Sequence, residues 1–214
     1  MERKIISSDN NPELYPWEPP KNDCQINKNG ATTPPNEPPV LKRRLVVSVG
    51  SNSNIDVMQN KFGQRQKGGD RDWYIYECRV GNIEVGVMPF LTSRGYFPAT
   101  PFYSPGSYCK VYGAYLNKEQ VKALTSTEVG YRLVKLKCNK FPLTFNSYDY
   151  KPKYFSIYVA DLGFVTIDGE PLRFPISQKE IWKRISGHIG FPGQEHDLGF
   201  LLDNRDLINE RMSV

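Results

Sequence analysis

Apolar positions are sparse over the first forty residues and then recur with two distinct periods. The opening stretch carries Pro12, Pro16, Pro19, Pro20, Pro34, Pro35, Pro38 and Pro39 among Asn, Asp, Glu and Lys. Such a composition buries too little surface to offset the entropy of ordering it. The pattern therefore predicts a disordered, proline-rich N-terminal tail over residues 1–40, extended locally in the polyproline manner. A single folded domain is expected over 41–214.

Within that domain Leu45-Val46-Val47-Ser48-Val49 is a short β-branched apolar run and predicts a buried strand. A helix follows, with Ser51 or Ser53 as its cap and Ile55, Met58 and Phe62 recurring at i, i+3, i+7. Lys67-Gly68-Gly69-Asp70 predicts a mobile loop. Trp73 to Val80 and Ile83 to Val87 flank Gly81-Asn82, a hairpin signal. Arg94 to Ser107, rich in Pro, Gly and aromatics, predicts irregular structure ahead of a strand over Tyr108 to Tyr115.

The next helix is well specified. Asn117 is its cap, Gln120 stands at N3, and Leu116 and Val121 form the staple across the cap. Gly130 to Cys138 and Tyr154 to Asp161 predict strands. Ser177 and Glu180 predict a second capping box, opening a helix with Ile181, Trp182, Ile185 and Ile189 on one face. Asp203 to Met212 predicts a short final helix. Strands outnumber helices without strict alternation, so the fold class is α+β: a small mixed β-barrel or sheet with flanking helices.

Composition narrows the function classes. The 214 residues are 39% hydrophobic with a mean hydropathy of -0.54, light for a core and consistent with a polar tail. The net charge of +5 is mild and dispersed, so no nucleic-acid partner is expected. Lys42-Arg43-Arg44 reads as a solvated linker end. Four cysteines without a C-x-x-C pair, and two histidines, His188 and His196, predict no metal site. Cys78 and Cys138 sit in strand-like runs and read as buried thiols. No apolar stretch reaches membrane-spanning length and no signal-peptide core opens the chain, so a cytoplasmic location and no membrane partner are expected. Pro34-Pro35-Asn36-Glu37-Pro38-Pro39 is a linker or a docking motif for a protein partner.

Two short segments carry candidate chemistry. Gly50-Ser51-Asn52 breaks a buried strand and opens a helix, where unpaired N–H groups backed by the helix dipole favour a carboxylate or phosphate. An ordinary strand-to-helix turn is the other reading; no P-loop or dinucleotide fingerprint accompanies it. Glu128 sits past a helix and beside Val129-Gly130-Tyr131 at the mouth of a strand. Taken alone it is a surface carboxylate; half-buried against apolar neighbours it is a general base. The aromatic Arg94–Gly106 loop walls a pocket or packs over a sheet edge. No Ser-His-Asp spacing is present.

In order and spacing these segments resemble the γ-glutamylcyclotransferase-like superfamily. Val49-Gly50-Ser51-Asn52 stands where the family has Tyr-Gly-Ser-Asn, and Val111-Tyr112-Gly113 echoes its central strand. Leu124-Thr125-Ser126-Thr127-Glu128-Val129-Gly130-Tyr131 matches a Leu-Asp-x-x-Glu-x-x-Tyr segment, and Pro175-Ile176-Ser177 loosely echoes a later helix entry. Val49 thus replaces the motif tyrosine and Thr125 the aspartate. The resemblance implies that fold and intramolecular aminolysis of a γ-glutamyl amine, peptide or glutathione-like substrate to 5-oxoproline. It implies Glu128 as catalytic acid/base and Val49, Gly50, Ser51, Asn52 and Tyr131 as substrate-binding positions. No cofactor is implied. A non-catalytic anion-binding or protein-interaction module on the same fold is the alternative.

Overall fold

The computed structural model describes residues 11–27, 30–35, 38–65, 70–191 and 197–213. Its strands are β1 (Cys24–Asn27), β2 (Gly30–Thr32), β3 (Arg44–Ser48), β4 (Trp73–Val87), β5 (Ala99–Leu116), β6 (Tyr131–Lys137), β7 (Leu143–Phe145), β8 (Tyr154–Ala160), β9 (Thr166–Ile167) and β10 (Glu170–Pro171). Its helices are α1 (Ile55–Arg65), α2 (Lys118–Thr125), α3 (Gln178–His188), α4 (Leu198–Asp203) and α5 (Arg205–Met212).

The main sheet runs β2-β1-β4-β5-β3-β8-β6, with β7 also on β4, and β9 and β10 form a separate ribbon. The β3–β8 pair is parallel while the other pairs are antiparallel, so the sheet is mixed. It stays open between β2 and β6; the α+β sheet with flanking helices forms, without closure into a barrel.

Residue alternation explains its two faces. On β3 and β4, Val46 and Ile75 face α1 and α2, joined by Met58, Phe62, Trp73 and Leu124. Their neighbours Val47 and Tyr76 face the other way, onto Phe145, Phe155 and Ile157. Covered on both faces, β3 is a continuous apolar run. A third cluster joins Trp182 and Ile185 of α3 to Val87, Leu91, Leu201 and Ile208.

The cap signals translate directly for α2. Asn117 Oδ1 accepts the Gln120 N–H at 2.9 Å and Gln120 Oε1 accepts the Asn117 N–H at 2.9 Å. At α3 half of the expected box forms: Ser177 Oγ accepts the Glu180 N–H, but the Glu180 carboxylate turns outward to Arg184. The cap of α1 is Asn54, not Ser51 or Ser53: its Oδ1 takes the Val57 N–H at 3.0 Å. The expected final helix forms as α5, and a further short helix, α4, precedes it across Asn204. Lys67 to Gly69 of the expected loop lie outside the described residues. Cys78 is a buried thiol and Cys138 a half-buried one.

Three expectations are corrected. Gly81-Asn82 makes no hairpin; β4 runs through it on a bulge, with Asn82 at φ 62. A bulge and a tight turn both require a residue tolerant of positive φ, so the local signal is shared. Much of the expected irregular stretch is strand, because Ala99 to Tyr103 pair with Val87 to Ile83 along β4. Residues 11–27 and 30–35 do not form a free tail. Pro12–Leu14 is a 3-10 turn, β1 pairs with β4, and Tyr15 and Trp17 are both 5% exposed. Long-range aromatic packing here outweighs the local polarity that suggested disorder. The Pro35 carbonyl accepts from Tyr148 Oη at 2.8 Å.

This segment should therefore matter to stability. Trp17→Ala removes a buried indole from contact with Tyr15, Val57 and Ala99, and should cost about 3–5 kcal/mol. Urea unfolding of the variant against the parent measures it; an unchanged midpoint would return residues 11–18 to a dispensable tail.

Candidate functional site

Where β3 ends, Val49 and Gly50 lead into a 3-10 turn over Ser51–Ser53. The turn is closed from within: Gly50 O accepts the Ser53 N–H at 3.0 Å and the Ser53 hydroxyl at 2.8 Å. Across a cavity, the chain leaving α2 turns through Thr127 and Glu128 into β6. The Tyr131 N–H donates to Glu128 O, and Gly130 sits at φ 77, a backbone state that favours glycine. That tight turn aims the Glu128 side chain back toward Gly50-Ser51-Asn52.

The cavity between them has a volume of about 810 Å³. Val49, Gly50, Ser51, Asn52, Glu128 and Tyr131 all line it. Every site residue expected from sequence is thus brought to one place.

Glu128 is not alone there. Lys61 Nζ, from α1, lies 2.8 Å from Glu128 Oε1 and 2.7 Å from Asn52 Oδ1. The two charged side chains are 20% and 10% exposed, so water screens the pair weakly. Thr127 Oγ1 donates to the same Oε1 at 3.1 Å. Glu128 Oε2 has no hydrogen bond among the described residues. Asn52, with its side chain on the Lys61 ammonium, is buried.

The second unforeseen residue is Tyr15. Its hydroxyl accepts the Ala99 N–H at 2.8 Å. Tyr131 Oη donates to Ala99 O at 2.9 Å, so two tyrosines hold both sides of the residue that opens β5. Burial pushes the ionisation of both phenols upward, and both stay protonated over the ordinary pH range. A Cβ at Gly50 would lie 2.5 Å from Tyr15 Oη, which is why this position needs glycine. Val49, in the place of the motif tyrosine, packs against Tyr15. A phenol thus reaches the turn from a different part of the chain.

Of the aromatic loop, Arg94 and Tyr96 line the cavity, while Phe97 belongs to the core beneath α3. Lys61 follows Met58 by three positions on α1 and so shares its face, the one available sequence signal for an inward lysine. Tyr15 had none beyond being aromatic in a polar stretch.

Removing one member of the ion pair strands the other. Lys61→Met should lower stability by about 1–3 kcal/mol, the cost of a buried polar group left unmatched. Lys61→Met with Glu128→Gln should recover part of that loss. A denaturant double-mutant cycle measures the coupling; additive effects would show that the two groups do not interact.

No protein-family sequence model matches the chain, and no curated protein sequence matches it. Solved structures do. It is similar to an Arabidopsis thaliana protein determined in solution, with 15% identity over 69% of this chain and 85% of that one, TM-score 0.44. It is similar to a structure described as a gamma-glutamyl cyclotransferase, with 15% identity over 78% of this chain and 86% of that one, TM-score 0.42. An uncharacterized Homo sapiens protein gives the same identity, coverages and TM-score. At this identity and these TM-scores the likeness carries nothing about activity, and function is read from the pocket's own residues.

Proposed function

We propose that the chain is a cofactor-free cyclotransferase that releases 5-oxoproline from a γ-glutamyl amine, peptide or glutathione-like compound. The observation that carries this reading is the state of Glu128. One carboxylate oxygen is fixed by Lys61 and Thr127, while the other is without a partner among the described residues, on the wall of a cavity large enough for such a substrate.

The reaction balances without a co-reactant. The substrate's α-amino nitrogen attacks its own γ-carbonyl carbon, a ring C–N bond forms, and the bond to the leaving amine breaks. Glu128 Oε2 takes a proton from the substrate's α-ammonium and passes it to the leaving nitrogen; the second proton, lost from the attacking nitrogen on ring closure, follows the same route, so the amine leaves as its ammonium. An α-amino acid head is a zwitterion, and this wall offers both signs: the Glu128 carboxylate for its ammonium, the Lys61 ammonium for its carboxylate. Holding the head at these two points brings amine and γ-carbonyl together, an orientational gain that an intramolecular reaction exploits fully.

The closeness of Lys61 to Glu128 also favours a second reading, in which the pocket binds an amino-acid-like zwitterion without turning it over. One experiment separates the two. The protein is incubated with a panel of γ-glutamyl compounds, 5-oxoproline is sought by mass spectrometry, and affinity is measured in parallel by calorimetry. Turnover is expected for the parent, with a fall of about 10²–10⁴-fold for Glu128→Gln. Binding without any 5-oxoproline would select the non-catalytic reading; full activity in Glu128→Gln would remove Glu128 from the mechanism.

A further inference from the structure

Tyr15 is built into the pocket more firmly than packing alone requires. The Asn11 side chain accepts the Glu13 N–H, and the Trp17 indole N–H donates back to Asn11 O at 3.1 Å. Gln178, fully buried, donates to Tyr15 O at 3.4 Å and to Phe97 O at 3.1 Å while accepting the Phe97 N–H at 2.7 Å. Tyr96 stacks on the ring at 4.3 Å between centroids, and Trp17 meets it edge-on at 5.4 Å. Asn54, at the head of α1, donates to Glu18 O at 2.8 Å. Every one of these contacts would hold a phenylalanine as well. What they leave to be explained is the hydroxyl.

That hydroxyl sits at the mouth of the Gly50-Ser51 turn, on the cavity wall. A phenol oxygen has room for about two incoming hydrogen bonds and has one proton to give. The Ala99 N–H supplies an incoming donor at 2.8 Å. No acceptor for the outgoing proton is present among the described residues. A backbone donor pulling on the oxygen strengthens the O–H as a donor in its turn.

We infer that Tyr15 is a ligand-binding residue of this pocket, its phenol donating a hydrogen bond to a substrate oxygen held in front of the Gly50-Ser51 turn. Resting on the cyclotransferase reading, the oxygen is that of the γ-carbonyl, which gains negative charge as the amine attacks. The buried phenol keeps its proton throughout, so it stabilises charge and transfers nothing. The specificity follows: the ligand must present an acceptor such as a carbonyl or carboxylate oxygen there, because an ammonium has no lone pair to offer a donor.

Two forms of the full chain test this. Tyr15→Phe keeps the ring and removes the donor; with any accepted γ-glutamyl compound, kcat should fall about 10²-fold with little change in KM, in protein whose unfolding midpoint is measured alongside. The second form carries 3-fluorotyrosine at position 15 alone, which keeps the hydroxyl and the fold and supplies a ¹⁹F signal. That signal should move when 5-oxoproline is added at saturation, as judged by calorimetry. Turnover by the parent with an unmoved ¹⁹F signal on 5-oxoproline binding, or with full kcat in Tyr15→Phe, would overturn the inference and leave the cyclotransferase reading standing. A parent that neither turns over any γ-glutamyl compound nor binds 5-oxoproline would overturn both.

Discussion

A buried peptide group has to find hydrogen-bond partners, and at Ala99 this requirement organises the site. Ala99 opens β5 opposite Val87, where the sheet gives way to the cavity. Two tyrosines from distant segments meet it there: Tyr15 accepts its N–H and Tyr131 donates to its carbonyl. Each brings further constraints. Tyr15 leaves no space for a side chain at Gly50. Tyr131 follows the tight turn at Gly130, and that turn fixes where Glu128 points. The pocket wall is thus a consequence of completing the hydrogen bonds at the end of one strand.

The charged pair in that wall is harder to explain as stabilisation. An ion pair sheltered from water loses much of its Coulombic gain to desolvation, and an apolar pair of similar volume often serves stability as well. Aliphatic side chains are close by: Met58, one turn before Lys61 on α1, and Leu124, near the end of α2 and four residues before Glu128, are both fully buried. Keeping both charges there makes sense if something of matching polarity enters the cavity.

How much of this was legible in the chain depends on the range of the interaction concerned. Asn117 with Gln120 and Ser177 with Glu180 are separated by three residues, so their caps were readable from spacing. The β3 strand and the turn after it were readable because both faces of β3 are buried. Glu128 could be singled out because a helix end, a glycine and a strand start converge beside it. The N-terminal segment defeated the same reasoning. Its prolines and polar residues do describe a chain with little to bury locally. Tyr15 and Trp17 are ordered by Tyr96, Ala99 and Phe174, which no local window contains. Gly81-Asn82 failed for the opposite reason: the signal was correctly local, but bulge and hairpin share it. Lys61 became distinctive only once Glu128 and Asn52 stood beside it.

The buried amide of Gln178 has a bearing on the order in which the molecule can assemble. It reaches Tyr15 across 163 residues of sequence and Phe97 across 81, and the phenol reaches Ala99 across 84. Contacts that close such long loops form slowly, after the local helices and hairpins that reduce their entropic cost. Tyr15 is synthesised well before the residues that hold it and must wait for β5 and α3 to be in place. The sheet can therefore exist with its pocket still unwalled. Maturation of the binding site becomes a docking event distinct from, and later than, formation of the core.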